Sequence, residues 1–140
     1  METIKDCADF ANANKTAYLA TSEGDQPHVR AMGMWYADET GFYFQAQSVK
    51  AMIKQLENNP NVELSFTDGK KVLRVTGKVK FITDSAIRSR CIEERPFVKN
   101  FGITTPDNPL LSVFQVYTGQ AFFWTFADSM KEADIPRIRF

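Results

Sequence analysis

The chain reads as a mainly β (α+β) domain, a small barrel or sandwich of about six to seven antiparallel strands with two to three short helices. Three observations predict this. Seven short runs of strand character follow one another at hairpin spacing, separated by Gly, Pro, Asn and Asp turn signals. The aromatic residues, 12 Phe, 4 Tyr and 2 Trp, fall mostly inside those runs rather than on one helix. Hydrophobic residues make up 44% and charged residues 24% of 140 positions, so a sizeable core can be buried. No repeat, low-complexity stretch or linker divides the sequence, which predicts one domain over 1–140.

Each element has its own signal. Ile4, Cys7, Ala8 and Ala11 recur at helical spacing behind Thr3 and Asp6, a capping pair, so a short helix runs from Thr3 to Asn14. Strands follow over Thr16–Ser22 and Pro27–Tyr36, joined by the turn Glu23–Gln26, and a third covers Phe42–Ala46 after Ala37–Gly41. A helix over Ser48–Asn58 carries Val49, Met52, Ile53 and Leu56 as one apolar stripe against the barrel. Asn61–Thr67 and Lys71–Ile82 flank the turn pair Asp68-Gly69. Asp84 caps a helix that Pro96 helps to stop after Arg95, with Arg88, Ser89, Glu93 and Glu94 on a solvated face. Leu111–Tyr117 and Gln120–Phe126 form a final hairpin around Thr118-Gly119.

Counting excludes several functions. Seventeen basic and seventeen acidic side chains cancel, so no field gathers nucleic acid, which weighs against an oligonucleotide-binding barrel. The apolar run Ala121–Trp124 is far short of a membrane span of roughly 20 residues. Glu2, Lys5 and Asp6 without an apolar stretch behind them predict no secretory signal, and hence a cytoplasmic protein. Cys7 and Cys91 are then reduced, buried thiols. His28 is the single histidine, and no cluster of metal ligands surrounds it.

The helix from Ser48 to Asn58 is charged against expectation. A helix N-terminus carries roughly +0.5 of a charge and attracts acids, yet here Ser48 would be the N-cap with Lys50 in the first turn and Glu57 at the far end. The amides of residues 49–51, the Ser48 hydroxyl and the Lys50 ammonium would converge on one point, the chemistry of an anion site; a solvated lysine beside an ordinary serine cap is the alternative. Arg30 is the natural companion. It shares a strand face with His28, Met32, Met34 and Tyr36, opposite Val29, Ala31, Gly33 and Trp35, and its planar donor fork suits phosphate. Gly33 leaves room for a flat group or another backbone.

Ordered segments carry a resemblance. Pro27-His-Val-Arg-Ala-Met-Gly-Met-Trp35, then Phe42-Tyr-Phe-Gln-Ala-Gln-Ser-Val-Lys50, then Gln55-Leu-Glu-Asn-Asn-Pro-Asn-Val-Glu-Leu-Ser-Phe66 resembles the FMN-binding split β-barrels related to pyridoxamine 5′-phosphate oxidase. Arg74-Val-Thr-Gly77 and Phe114-Gln-Val-Tyr-Thr-Gly119 follow in the expected order, so nearly the whole chain is covered. The resemblance implies a homodimer with two FMN sites at the subunit interface. It implies Arg30, Ser48, Val49 and Lys50 around the phosphate, Ala31 and Met32 on the neighbouring strand, and Phe44, Gln45 and Ala46 as the strand edge that meets the ring. Tyr117 and Trp124 are candidates to pack on the ring across the interface. Six aromatics between Leu111 and Phe126 exceed what a small barrel interior takes, and a dimer contact would absorb the surplus.

Departures from the oxidase narrow the function. Its lysine after the strand arginine falls here on Trp35, and its flavin-contacting glutamine falls on Val72. The tail Asp134–Phe140 lacks its Arg-Leu-His-Asp-Arg pattern, so oxidation of pyridoxamine phosphate is not expected. What the resemblance implies is an FMN-dependent oxidoreductase of the flavin-reductase and nitroimidazole-resistance-like branch, acting on a small flat molecule with a nicotinamide donor and needing no catalytic side chain. The alternative is a non-catalytic flavin or haem carrier on the same barrel.

Overall fold

The computed structural model describes residues 1–140 throughout. Helix α1 (Ile4–Ala13) opens on the expected capping box, with Thr3 and Asp6 exchanging bonds. Strands β1 (Thr16–Glu23) and β2 (Gln26–Gly33) form the first hairpin, followed by β3 (Tyr36–Asp38) and β4 (Gly41–Gln47). After α2 (Ala51–Asn58) come β5 (Asn61–Thr67) and β6 (Lys71–Phe81), then α3 (Ser85–Glu94) and a 3₁₀ segment, Pro96–Phe101. The long β7 (Leu111–Thr125) and the short β8 (Ile138–Arg139) complete the sheet.

All eight strands belong to one antiparallel sheet in the order β2-β1-β5-β6-β7-β4-β3, with β8 on β7. The sheet curls on itself, but β2 and β3, at its two ends, are not paired. Between them Met34 donates its amide to Lys15 O and Trp35 to Tyr43 O, so the chain steps from one end of the sheet to the other within two residues. That gap is the split of the barrel.

Two cores flank β4 and β7. Phe42, Phe44, Phe66, Leu73, Val75 and Phe114 fill the barrel with α1 and α2 against it. Trp35, Tyr43, Cys91, Ile92, Val98, Ile103, Leu111 and Val113 form a second core under α3 and the 3₁₀ segment. This explains why Gly41–Ala46 and Leu111–Val116 are buried on both faces rather than alternately.

Four expectations change. The strand Pro27–Tyr36 divides, because Met34 and Trp35 leave the ladder for different cores. No hairpin forms at Thr118-Gly119: β7 runs straight through, with Gly119 opposite Gly77 beside a bulge at Lys78/Val79. A Cβ on Gly119 would collide with Thr76 O and lie 2.6 Å from Gly77 Cα, so this glycine serves close backbone approach, not a turn. Helix α2 starts at Ala51 with Lys50 as an uncapped N-cap residue, which leaves Val49 outside the helix and 79% exposed rather than in the apolar stripe. Finally, Arg88 is not on a solvated face. Its guanidinium donates to the carbonyls of Pro106, Asn108 and Leu111, at 2.6, 3.2 and 2.9 Å, and closes the loop before β7.

A candidate ligand groove across the barrel split

The split of the barrel leaves a groove of about 280 Å³ between strands that are not sheet neighbours. β2 supplies Ala31, Met32 and Gly33 to one wall, and β4 supplies Gln45 and Gln47 to the other. Lys50, leading into α2, and Arg95, Phe97 and Phe101, from the segment after α3, complete the lining. The larger concavity of the chain, about 830 Å³, lies along β6, β7 and β8 by Tyr117, Gly119 and Phe140. The smaller groove has the stronger chemical claim, because both buried side-chain polar atoms without a hydrogen-bond partner, Gln45 Oε1 and Arg95 Nε, belong to residues that line it.

Arg95 is fixed by the backbone it covers. Its Nη1 donates to Met34 O at 3.0 Å and its Nη2 to Gly33 O at 3.3 Å, while the guanidinium lies 4.9 Å from the Phe97 ring centroid. Burial lowers its pKa below the ordinary arginine value. A Cβ at Gly33 would meet Arg95 Nη2 at 3.6 Å, an ordinary contact, so the guanidinium does not require a glycine there.

Of the residues selected from sequence, Ala31, Met32, Gln45 and Lys50 come together in the groove. Arg30 is turned the other way. It donates to Leu19 O at 3.1 Å, Thr21 Oγ1 at 2.8 Å and Gln55 Oε1 at 3.0 Å, tying β1 and β2 to α2, and burial lowers its pKa. The converging cap at Ser48 is not formed. The Ser48 hydroxyl donates to Pro109 O and meets Ser112 Oγ, its amide goes to Leu110 O, and the Lys50 amide goes to Gln47 O. Ser48 thus prolongs the register of β4 on β7 instead of capping α2. Phe44 and Ala46 point into the barrel core. Tyr117 and Trp124 lie on β7 outside this groove, Tyr117 by the larger concavity and Trp124 opposite Val72.

Arg95, Phe97 and Phe101 escaped the sequence reading. Arg95 looked like a helix end before Pro96, and the available signal was the pair of phenylalanines in an otherwise polar stretch. Trp35, in place of the oxidase lysine, is buried and donates Nε1 to Glu94 Oε1 at 3.0 Å, so it serves the second core. No helix is long and apolar enough to cross a membrane, and no cluster of metal-binding side chains is present.

Comparison with known proteins shows the fold and the family. A NimC/NimA family protein from Clostridium acetobutylicum superposes with a TM-score of 0.79 at 26% identity, covering 98% of this chain and 93% of that one. General Stress Protein 26 from Bacillus anthracis shares the fold at 18% identity and a TM-score of 0.72, covering 94% of each chain. A pyridoxamine 5′-phosphate oxidase-related, FMN binding protein from Nostoc punctiforme shares it at 13% identity and 0.69, covering 90% of this chain and 86% of its own. No curated protein sequence matches significantly. The family described as Pyridoxamine 5′-phosphate oxidase matches residues 3–125, and the chain belongs to that family, with its FMN-binding split-barrel fold.

Proposed function

We propose that two copies of this chain bind FMN in the groove across the barrel split and act as an FMN-dependent oxidoreductase on a small flat molecule, with a nicotinamide donor. The observation that carries this reading is the groove itself: its lining holds a cation, Lys50, together with buried polar atoms of Gln45 and Arg95 that have no partner within the chain. Both features fit a ligand that is anionic at one end, flat, and able to hydrogen-bond along an edge. Family membership and the FMN-binding neighbour support FMN as that ligand.

The size and edges of the site support dimerisation. At about 280 Å³ the groove lies at the low end of ligand pockets, roughly 300–1,000 Å³, which suits a site that a partner's wall completes. β2 is an edge strand, and Val29, Ala31 and Gly33 on it are exposed, with Val29 at 70%. A partner covering this edge would remove an aggregation-prone row of unpaired backbone. It would bring its own Tyr117 or Trp124 toward the ring.

Within the site, Lys50 neutralises the phosphate with the α2 N-terminus behind it. Arg30 holds α2 on β1 and β2 through Gln55, which keeps Lys50 in place. Ala31 and Gly33 offer little side chain and leave space for a second flat molecule beside the cofactor. Met32 can repack around varied shapes. The bound FMN supplies the hydride chemistry, and the side chains bind, orient and exclude water.

Titration of the purified protein with FMN and with riboflavin tests the phosphate assignment. Lys50→Glu should weaken FMN at least tenfold, about 1.4 kcal/mol, and riboflavin far less. Equal loss for both would make Lys50 structural. Anaerobic NADH or NADPH should then bleach the loaded flavin, and a quinone or nitroaromatic should restore it. A dimeric, loaded protein that stays oxidised with either donor would be a carrier.

A further inference from the structure

We infer that Gln45 and Arg95 together read the pyrimidine edge of the flavin ring, with Gln45 accepting from its N3–H and Arg95 donating to a flanking carbonyl. This rests on the reading of the groove as the FMN site, and it assigns a role to two side-chain atoms that have no partner within the chain. Gln45 is 9% exposed and its Oε1 has no donor; Arg95 Nε is buried and has no acceptor. One lacks a donor and the other an acceptor, and both line the same narrow groove. Buried polar groups are rarely left unmade, so a ligand presenting N–H beside C=O satisfies both. A purely apolar ligand would leave both orphaned, and a carboxylate would satisfy Arg95 alone. An imide edge, C=O, N–H, C=O in one plane, satisfies the pair.

The guanidinium cannot swing away to find another acceptor. Nη1 and Nη2 are held on Met34 O and Gly33 O, and Phe97 lies on its face. Arg95 is therefore a preorganised donor, set by the chain crossing between the two ends of the sheet. A positive charge held beside a ring carbonyl would also favour the reduced, more negative flavin.

The test uses 3-methyl-FMN, which keeps the phosphate and the ring but lacks the N3–H. The wild-type protein should bind it at least tenfold more weakly than FMN. Gln45→Leu removes a buried orphan acceptor, so the free protein should melt at an equal or higher temperature while its preference for FMN over 3-methyl-FMN falls to within twofold. Arg95→Met keeps much of the apolar stem but removes both the positive charge and the Nε donor. It should lower the ratio of reduced to oxidised FMN affinity at least tenfold, a shift of about 30 mV for two electrons, without restoring 3-methyl-FMN binding. Equal binding of the two flavins by the wild-type protein, with FMN bound tightly, overturns the edge assignment and leaves the FMN site standing. Failure to bind FMN at all overturns both.

Discussion

Gly119 sits where two backbones touch, opposite Gly77 in the β6–β7 ladder, and any side chain there would displace the Thr76 carbonyl. Gly24 has a left-handed φ of +61°, yet nothing lies within 4 Å of where its Cβ would be. Alanine at the two positions therefore meets different physics. Gly24→Ala bears only the backbone preference, roughly 1–2 kcal/mol. Gly119→Ala adds a clash that the sheet must absorb, for a total on the order of 3 kcal/mol. Urea unfolding of both variants checks this; equal losses would mean that β6 and β7 give way easily at the bulge. The same reasoning shows why Thr118-Gly119 misleads in sequence. A glycine after a threonine between aromatic runs marks both a turn and a close approach, and only the partner strand tells them apart.

At the scale of elements, the barrel was legible because β1, β5 and β6 alternate and the turns carry glycine and proline signals; these three strands fall within a residue or two of their expected limits. Helix α2 was legible as a helix but not in its first turn, since Ser48 answers to Pro109, Leu110 and Ser112, partners some sixty residues away that local sequence cannot reveal. The wall formed by Arg95, Phe97 and Phe101 was hidden for the same reason: its contacts are with Gly33 and Met34 in a distant crossover. Arg88 shows how such long-range ties act. Its guanidinium ties α3 to the loop before β7 by donating to two carbonyls of that loop, Pro106 and Asn108, and to that of Leu111 at the start of β7. Arg88→Met keeps the apolar stem but strips those bonds, and charge-assisted bonds are worth roughly 1.5–3 kcal/mol each when partly buried. Hydrogen exchange should accelerate over residues 102–110 while the amides of β5 and β6 stay protected. Uniform acceleration across the sheet would show instead that the loop and barrel open together.

The molecule as a whole is a barrel with an annex, and each part carries one cysteine. Cys7 belongs to the barrel core of 22 buried residues, whereas Cys91 belongs to the core of 9 under α3 and the 3₁₀ segment. The smaller core buries less apolar surface and should open more often, as a unit below global unfolding. Burial pushes Cys7 from an ordinary 9.0 up to about 12 and Cys91 up to about 11, so neither thiol is reactive while folded. At pH 8 about a tenth of an exposed thiol is thiolate, and labelling therefore reports opening. The raised values also fix the sign of the pH effect: the protonated thiols favour the fold, fully below pH 9.0, and that contribution is lost as pH rises toward 11 and 12. Single-cysteine variants Cys7→Ala and Cys91→Ala separate the two sites. Cys91 should label faster than Cys7 under native conditions, with a weaker dependence on urea. Because Arg95 and Phe97 belong to the annex and line the groove, saturating FMN should slow Cys91 more than Cys7 if the ring is held there. Equal labelling rates with equal urea dependence would mean that the annex and the barrel unfold as one, and the groove wall would then be as rigid as the barrel behind it.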